Sequence, residues 1–224
     1  MVTLPYNINS QRTSTQEFIR RGLGDASLTA LYSAWVSQPQ SSNDTVCSVP
    51  AITHALLIGG GLKIPTGSYQ FNPYSTTEVA NANFQLGTGS WDILISGNYT
   101  IRGEVYGAMV DVQARIPTVN SNGYRFGNRA MTTFAGFALL SLSSDIRMMP
   151  LVGISSEISM QDIRQNKTVA ETGGVTGFAL LGTDIYFMNT LSIGCTVSIP
   201  VASQMADGEI RPAPRVTIQS AWLW

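Results

Sequence analysis

Strict alternation of apolar and polar residues over long segments is the feature that most constrains this chain. The segment DASLTALYSAWV, residues 25–36, places small and apolar side chains on one phase and mostly polar ones, with Trp35, on the other. Segments 91–101 and 104–116 repeat the pattern. A period of two predicts β-strands, because successive side chains of a strand point to opposite faces.

The length of these segments narrows the fold class. Further segments of the same kind cover residues 129–142, 146–159, 175–187, 190–199 and 215–224. Most are 10–14 residues long, whereas an ordinary strand has about 5–6 residues and a tilted membrane-crossing strand about 9–11. The pattern therefore predicts an all-β, antiparallel, up-and-down transmembrane β-barrel.

The connections alternate between short and long, as in outer-membrane barrels with short periplasmic turns and long external loops. Tight turns are predicted at residues 102–104 and 143–145 and near Asn189. The long links are residues 65–90, 118–128, 160–174 and 201–214.

Counting the segments gives about ten strands in one barrel domain, residues 1–224. The count begins with VTLPY, which is followed by an external loop at residues 7–22. VTLPY is too short to span a bilayer, so we expect the chain to be truncated at its N-terminus, with twelve strands in a full-length form. The last segment ends in Trp224 and resembles the C-terminal aromatic signal of outer-membrane proteins, which predicts the outer-membrane assembly machinery as a partner.

The stretch HALLIGGGLKIPTGSY, residues 54–69, fits this scheme despite its three glycines and its lysine. In a barrel, Leu56, Ile58 and Leu62 would face lipid, and Lys63 would point into the lumen. Glycines at 59 and 61, on the same phase as Lys63, would permit curvature and leave interior space. The alternative interpretation is the edge strand of a soluble barrel or sandwich with a solvated lysine.

Composition restricts the partners. Charged residues make up 12% of the chain, about half of the usual fraction, and the net charge is −1. We therefore expect no nucleic-acid partner, because such proteins carry basic surfaces. No apolar run reaches the roughly 18 residues of a membrane helix, and no signal peptide opens the sequence. The bilayer of a Gram-negative outer membrane is the predicted location, with a signal peptide that was removed or lies upstream.

Four ordered segments carry a resemblance to a known family. They are GLGDASLTALY at 22–32, GGGLKIPTGSY at 59–69, LGTGSWDILISGNY at 86–99 and YRFGNRA at 124–130. Their order and spacing resemble those of the meta-pathway phenol-degradation outer-membrane proteins, often called transporters. The resemblance implies an outer-membrane barrel and a small, apolar or aromatic solute, and it supplies no catalytic residues.

Catalytic chemistry has no candidate constellation. His54 is the only histidine, and its apolar phase predicts a structural position at the membrane interface. No His, Cys and carboxylate residues have metal-ligand spacing, and the glycine run lacks the strand-to-helix context of a phosphate loop. We expect neither an enzyme nor a metal or cofactor.

Ionisable residues on the inward phase are the candidate lumen and substrate residues. They are Asp25, Lys63, Asp92, Asp111, Arg115, Arg147, Glu157 and Asp184. They either pair across the interior or line a passage for solute. Asp25, Lys63 and Asp92 are expected to form a cluster at the external rim. If this cluster guides solute, Lys63→Met should change flux with little effect on thermal stability.

Three functions remain open from the sequence. The first is a channel or transporter for a small solute. The second is a non-conducting structural or docking barrel that binds a protein partner through its external loops, especially residues 69–84. The third is a soluble β-barrel binding protein. A requirement for detergent separates the third from the others, and conductance in liposomes separates the first from the second.

Overall fold

A computed structural model describes residues 2–12, 17–37, 52–71, 82–170, 172–188, 190–205 and 212–222. The described residues form strands and one turn of 3-10 helix, Ala82–Phe84. The strands are β1 (Val2–Thr3), β2 (Tyr6–Arg12), β3 (Glu17–Leu23), β4 (Ala26–Val36), β5 (Thr53–Ile64), β6 (Asp92–Arg102), β7 (Tyr106–Pro117), β8 (Tyr124–Arg125), β9 (Arg129–Ala138), β10 (Leu140–Ser141), β11 (Ile146–Ser159), β12 (Ile163–Arg164), β13 (Lys167–Thr168), β14 (Gly174–Phe187), β15 (Leu191–Met205) and β16 (Arg215–Trp222).

One curled antiparallel sheet dominates the molecule. Its strand order is β1-β4-β5-β6-β7-β9-β11-β14-β15-β16, and β10 pairs with β11 beside this path. Each long strand therefore pairs with the next long strand along the chain. The prediction of an all-β, up-and-down antiparallel sheet is confirmed, as are the tight turns that follow β6 and β10. Asn189, in the third predicted turn, lies outside the described residues, and the Thr190 N–H donates to the Phe187 carbonyl oxygen at 2.9 Å.

Closure of the sheet into a barrel is not seen within the described ranges. β1 pairs with β4 at only two positions, Val2 with Leu28 and Thr3 with Ser27. No ladder joins β1 to β16 among the residues that the structure describes. The described sheet thus has the form of a half-barrel. No helix in the described ranges combines the length and apolar character needed to cross a membrane.

Several local predictions were wrong. Residues 7–22 are largely the hairpin of β2 and β3, whose seven pairs run from Tyr6–Leu23 to Arg12–Glu17. β15 continues to Met205, so the long link that follows it is shorter than expected. The segment 129–142 is interrupted at Leu139, whose N–H donates to the Val105 carbonyl oxygen.

An irregularity in β4 also reverses the phase of its end. The register with β5 shifts between Ser33 and Trp35, so Trp35 pairs with Leu56 on the outer, apolar side. The sequence pattern had placed Trp35 on the polar phase. A bulge inserts one extra residue into the strand and shifts the alternation, and a period-two count along the sequence does not detect such an insertion.

The two faces of the sheet differ in character. The outer face carries exposed apolar side chains from β4 to β16, including Leu28, Ile58, Ile95, Ile154 and Leu181. The concave face carries the polar and ionisable residues of the alternate phase. β4 and β5 approach closely at the three-glycine stretch. A Cβ at Gly59 or Gly61 would therefore collide with backbone carbonyl oxygens of β4.

Candidate functional site

A charged cluster occupies one end of the concave face, where β4 and β6 begin and β5 ends. Asp25 directly precedes β4, Lys63 is the penultimate residue of β5, and Asp92 begins β6. Lys63 and Asp92 are cross-strand partners. The Lys63 Nζ atom lies 2.6 Å from Asp25 Oδ2 and 3.3 Å from Asp92 Oδ2. The structure thus brings together the three residues that the sequence placed at this rim.

The loop that precedes β6 encloses this cluster. The Lys63 Nζ atom donates to the Ser90 carbonyl oxygen at 2.8 Å and also contacts the Thr88 hydroxyl. Asp25 accepts backbone N–H groups from Gly67 and Thr88, each at 2.9 Å. The Ser90 hydroxyl donates to Asp92 Oδ1 at 2.8 Å.

Burial of these charges is nearly complete. The side chains of Lys63, Asp25 and Asp92 are 7%, 5% and 0% exposed. Burial acts to raise the pKa of Asp25, but hydrogen bonds from Lys63 and Thr88 outweigh it and leave this pKa below its ordinary value. The cluster is therefore a satisfied structural network that offers a solute little surface.

Arg115 extends the network along the concave face. Its Nε atom contacts Asp92 Oδ2, so Asp92 serves both Lys63 and Arg115. Arg115 in β7 lies directly opposite Arg129 in β9. The Arg129 Nη2 atom donates to the neutral Asn83 Oδ1 at 2.8 Å. Two arginines side by side would repel each other unless another group compensates.

A cavity of about 450 Å³ lies against the concave face below this network. Apolar side chains line one part of it, and polar or charged side chains line the rest. The former include Leu31, Leu57, Leu94 and Met131, and the latter include Ser96, Asn98, Asp111, Gln113, Arg115, Arg129, Glu157 and Arg215. Its volume is within the range of about 300–1,000 Å³ that is typical of small-molecule sites.

The remaining predicted site residues are spread over the same face. Glu157 Oε2 accepts a bond from Arg215 Nη1 at 2.8 Å, and Asp111 Oδ1 accepts one from Gln113 Nε2 at 2.8 Å. Asp184 Oδ1 accepts a bond from Gln219 at 3.3 Å. Arg147 lines a separate, smaller depression of about 230 Å³ with Tyr186 and Phe137. These residues are not part of the rim cluster.

Loop aromatics form a small core that the sequence reasoning missed. Ala82, Tyr124 and Phe126 are buried, and Tyr69 and Phe71 pack against them together with Val169. The Tyr124 and Phe126 ring centroids are 5.0 Å apart in an edge-to-face arrangement. We call this group the loop core. The aromatic residues in the long links at 65–90 and 118–128 were the available signal, but they had no regular spacing.

Asp162 lies beside the loop core and is buried, with 2% of the residue exposed. Its carboxylate connects the loop core to neighbouring backbone and side-chain groups. Its Oδ2 atom accepts the Tyr124 hydroxyl at 2.6 Å, and its Oδ1 atom accepts the Gly127 N–H at 2.6 Å. Asn83 Nδ2 donates to the same carboxylate at 3.4 Å. Asn83 also accepts from Arg129, so it links the loop core to the concave face.

The loop core changes the picture of residues 69–84 as a docking loop. Tyr69 and Phe71 pack into the loop core, and Phe84 is buried. Residues 72–81 lie outside the described ranges. Binding of a protein partner through the external loops therefore stays a prediction that these aromatics do not support.

Removing the Tyr124 hydroxyl should weaken the loop core. Burial, followed by the hydrogen bond and charge of Asp162, raises the pKa of Tyr124 above its ordinary value of 10.0. Its stabilising effect is present below pH 10 and is lost as the pH rises through the raised pKa. We expect Tyr124→Phe to lower the local stability by about 1–3 kcal/mol at neutral pH, measured by hydrogen exchange of the Gly127 amide.

An absorbance titration gives an independent check on Tyr124. The wild-type curve minus the Tyr124→Phe curve isolates the ionisation of this residue. Its midpoint should lie above that of a free tyrosine. A midpoint at the ordinary value would show that the Tyr124 hydroxyl is not buried against Asp162.

An aromatic group lies on the outer face at the opposite end of the sheet. The His54 ring lies between Trp35 and Tyr99, with centroid distances of 5.9 and 6.1 Å. The His54 Nδ1 atom is 2.7 Å from the Tyr99 hydroxyl oxygen. This position on the outer face, held by aromatic neighbours, agrees with the structural interpretation of His54.

The fold and this site define an all-β protein in which a curled, up-and-down antiparallel sheet holds a cavity and a buried charge network on its concave face. Within the described ranges, no three His, Cys, Asp or Glu side chains are placed to hold a metal ion. No family model matches the chain, and no curated protein matches it.

Proposed function

We propose that the protein is an outer-membrane β-barrel that acts as a channel or transporter for a small solute. The observation that carries this proposal is the distribution of side chains over the two faces of the sheet, which is the reverse of that in a soluble protein. Apolar residues cover the outer face, and ionisable residues surround a cavity on the concave face. Lipid outside and solute inside would satisfy both faces.

The outer face supports the membrane part of the proposal. Leu28, Ile58, Ile95 and Ile154 are each at least half exposed, and they lie on neighbouring or nearby strands. Soluble monomers rarely expose contiguous apolar patches larger than a few hundred Å². A hydrocarbon environment would accommodate this surface without the cost of hydrating it.

Aromatic residues near both strand ends support the same placement. On β6 the exposed Trp91 precedes the strand, and Tyr99 lies eight residues later on the same face. Eight residues span about 27 Å along a strand, or about 20 Å of height at a tilt near 40°. This separation is close to the apolar band of about 25 Å between the aromatic girdles of outer-membrane barrels.

The proposal requires further strand pairing at the edges of the sheet. A bilayer does not hydrogen-bond to backbone groups, so the exposed edges of β4 and β16 would have to be closed. Trp224 lies outside the described residues, and recognition by the assembly machinery stays a prediction. The apolar or aromatic character of the solute is proposed only from the resemblance of the four sequence segments, since no family model matches the chain.

Filling the cavity should block transport. Ser96 lines the cavity from β6, whereas Ile93 on the same strand is exposed on the outer face and does not line the cavity. We expect Ser96→Trp to reduce solute-driven liposome swelling at least severalfold, because the indole would occupy the cavity. Ile93→Trp should leave the swelling rate unchanged, since tryptophan is tolerated at a lipid-facing position.

The same assay separates the alternatives. Wild-type liposomes that swell no faster than protein-free ones would contradict transport and favour a docking barrel. Equal rates for Ser96→Trp and wild type would show that solute does not pass through this cavity. Insertion of all variants is checked by flotation with the liposomes.

A further inference from the structure

We infer that the cavity binds a small monocarboxylate with an apolar body, whose carboxylate lies between Arg115 and Arg129. This inference deepens the proposed function, on which it rests for a route to the cavity. It starts from the register of β7 and β9, which places the two arginines directly opposite each other on the concave face. Like charges in this relation are destabilising unless they are compensated.

The carboxylates in the described residues do not form an ion pair with every cation of this group. Lys63, Arg115 and Arg129 carry three positive charges, whereas Asp25 and Asp92, the carboxylates that pair with this group, carry two negative charges. The neighbouring Glu157 is already paired with Arg215. Asp25 and Asp92 are thus occupied by Lys63 and Arg115, and neither forms an ion pair with Arg129.

Arg129 is the member of the group with the least compensation. Within the described ranges it has no ion pair, and its hydrogen-bond partner is the neutral Asn83 at 2.8 Å. Asn83 separates it from the buried Asp162 carboxylate. A guanidinium has five N–H donors, so Arg129 can bind a carboxylate oxygen while it keeps Asn83.

Arg115 can act as the second donor group. Its Nε atom is engaged by Asp92, which fixes the guanidinium plane at the cavity wall. Two arginine side chains on neighbouring strands can hold the two oxygens of one carboxylate. Such charge-assisted bonds are roughly twice as strong as neutral ones.

The apolar wall determines the rest of the ligand. Leu94 lies directly opposite Arg115 on the other neighbouring strand, and Leu57 and Leu31 line the cavity further from the arginines. Gly61 is the cross-strand neighbour of Leu94 and Gly59 that of Ser96, so these positions add no side chain to the wall. A carboxylate on the arginines would thus extend its apolar part along the leucines.

The test compares ligands of the same shape and different charge. Hexanoate, hexanamide and hexylammonium are titrated by calorimetry into the protein in lipid nanodiscs, with empty nanodiscs as blank. Hexanoate should bind more tightly than both others. Arg129→Gln should weaken hexanoate binding by about tenfold or more and leave hexanamide binding unchanged.

The control variant makes the same change of charge elsewhere on the concave face. Arg147 lies outside this cavity and lines the separate depression. Arg147→Gln should leave hexanoate binding unchanged. Equal binding of hexanoate and hexanamide, or equal losses in the two variants, would overturn the site.

The outcomes for the site and for transport are independent. Hexanoate binding that depends on Arg129, together with liposomes that conduct no solute, would support the site and reject the transport proposal. Swelling by neutral solutes, together with hexanoate binding that is unchanged in Arg129→Gln, would support transport and reject the site.

Discussion

Replacing Lys63 by Met should lower the free energy of unfolding by about 3–5 kcal/mol, the cost expected when one partner of a buried ion pair is removed. The substitution leaves Asp25 and Asp92 buried without the ammonium group that now lies between them. Met has a similar length, so loss of packing adds little. The measurement is denaturant unfolding in detergent or lipid at neutral pH.

This expected loss of stability replaces the prediction from the sequence that Lys63→Met has little effect on thermal stability. A rim pair in water contributes about 0–1 kcal/mol, whereas Lys63 is 5% exposed as a residue. Lys167 provides a matched control, since it is exposed on β13. Lys167→Met should remain within about 0.5 kcal/mol of wild type, and a similar loss in both variants would contradict the buried network.

The dependence on pH has a definite sign. Asp25 has a lowered pKa in the folded protein, so its stabilising contribution is present above the ordinary value of 3.8 and is lost as the pH falls through the lowered pKa. The difference between wild type and Lys63→Met should therefore shrink in acid. A difference that is constant from neutral pH to strong acid would show that charge pairing is not its source.

Arginine at Ile95 should cost about 2–4 kcal/mol of folding free energy in lipid vesicles, if this position faces the bilayer midplane. Ile95 is 50% exposed on the outer face. The neighbouring Ser96 points to the cavity, so Ser96→Arg should cost much less. Reversible urea unfolding in vesicles measures both variants.

A second pair of residues repeats this comparison on β7. Val112 is on the outer face and Gln113 lines the cavity, so Val112→Arg should cost more than Gln113→Arg. In a soluble protein, arginine at the half-exposed Ile95 would change stability by about 0.5 kcal/mol or less. Equal costs on the two faces would contradict the membrane placement of the outer face.

The face on which a side chain lies could be predicted from the sequence along the long strands. Lys63, Asp111, Glu157 and Asp184 all lie on the concave phase of their strands, as their spacing predicted. The alternation follows from the backbone geometry of a single strand, so it needs no long-range information. Trp35 is the exception, because the bulge beyond Ser33 shifts its phase.

Contacts between segments that are distant in the chain were harder to predict from the sequence. The proximity of Asp25, Lys63 and Asp92 followed from their common height in the strand scheme, but their burial depended on Thr88 and Ser90 in an irregular loop. The adjacency of Arg115 and Arg129 needed the register of β7 and β9. Register depends on turns and packing, and a one-residue change would move either side chain to the other face.

The sequence by itself determined the long strands of the main sheet, their order and their two faces, because period-two alternation and turn spacing are properties of each local segment. Only the tertiary structure decided what surrounds each side chain. It buried Lys63 with its carboxylates, turned Trp35 outward and joined the loop aromatics to Asp162. These outcomes depend on contacts between residues far apart in the chain, whose register and packing no single segment specifies.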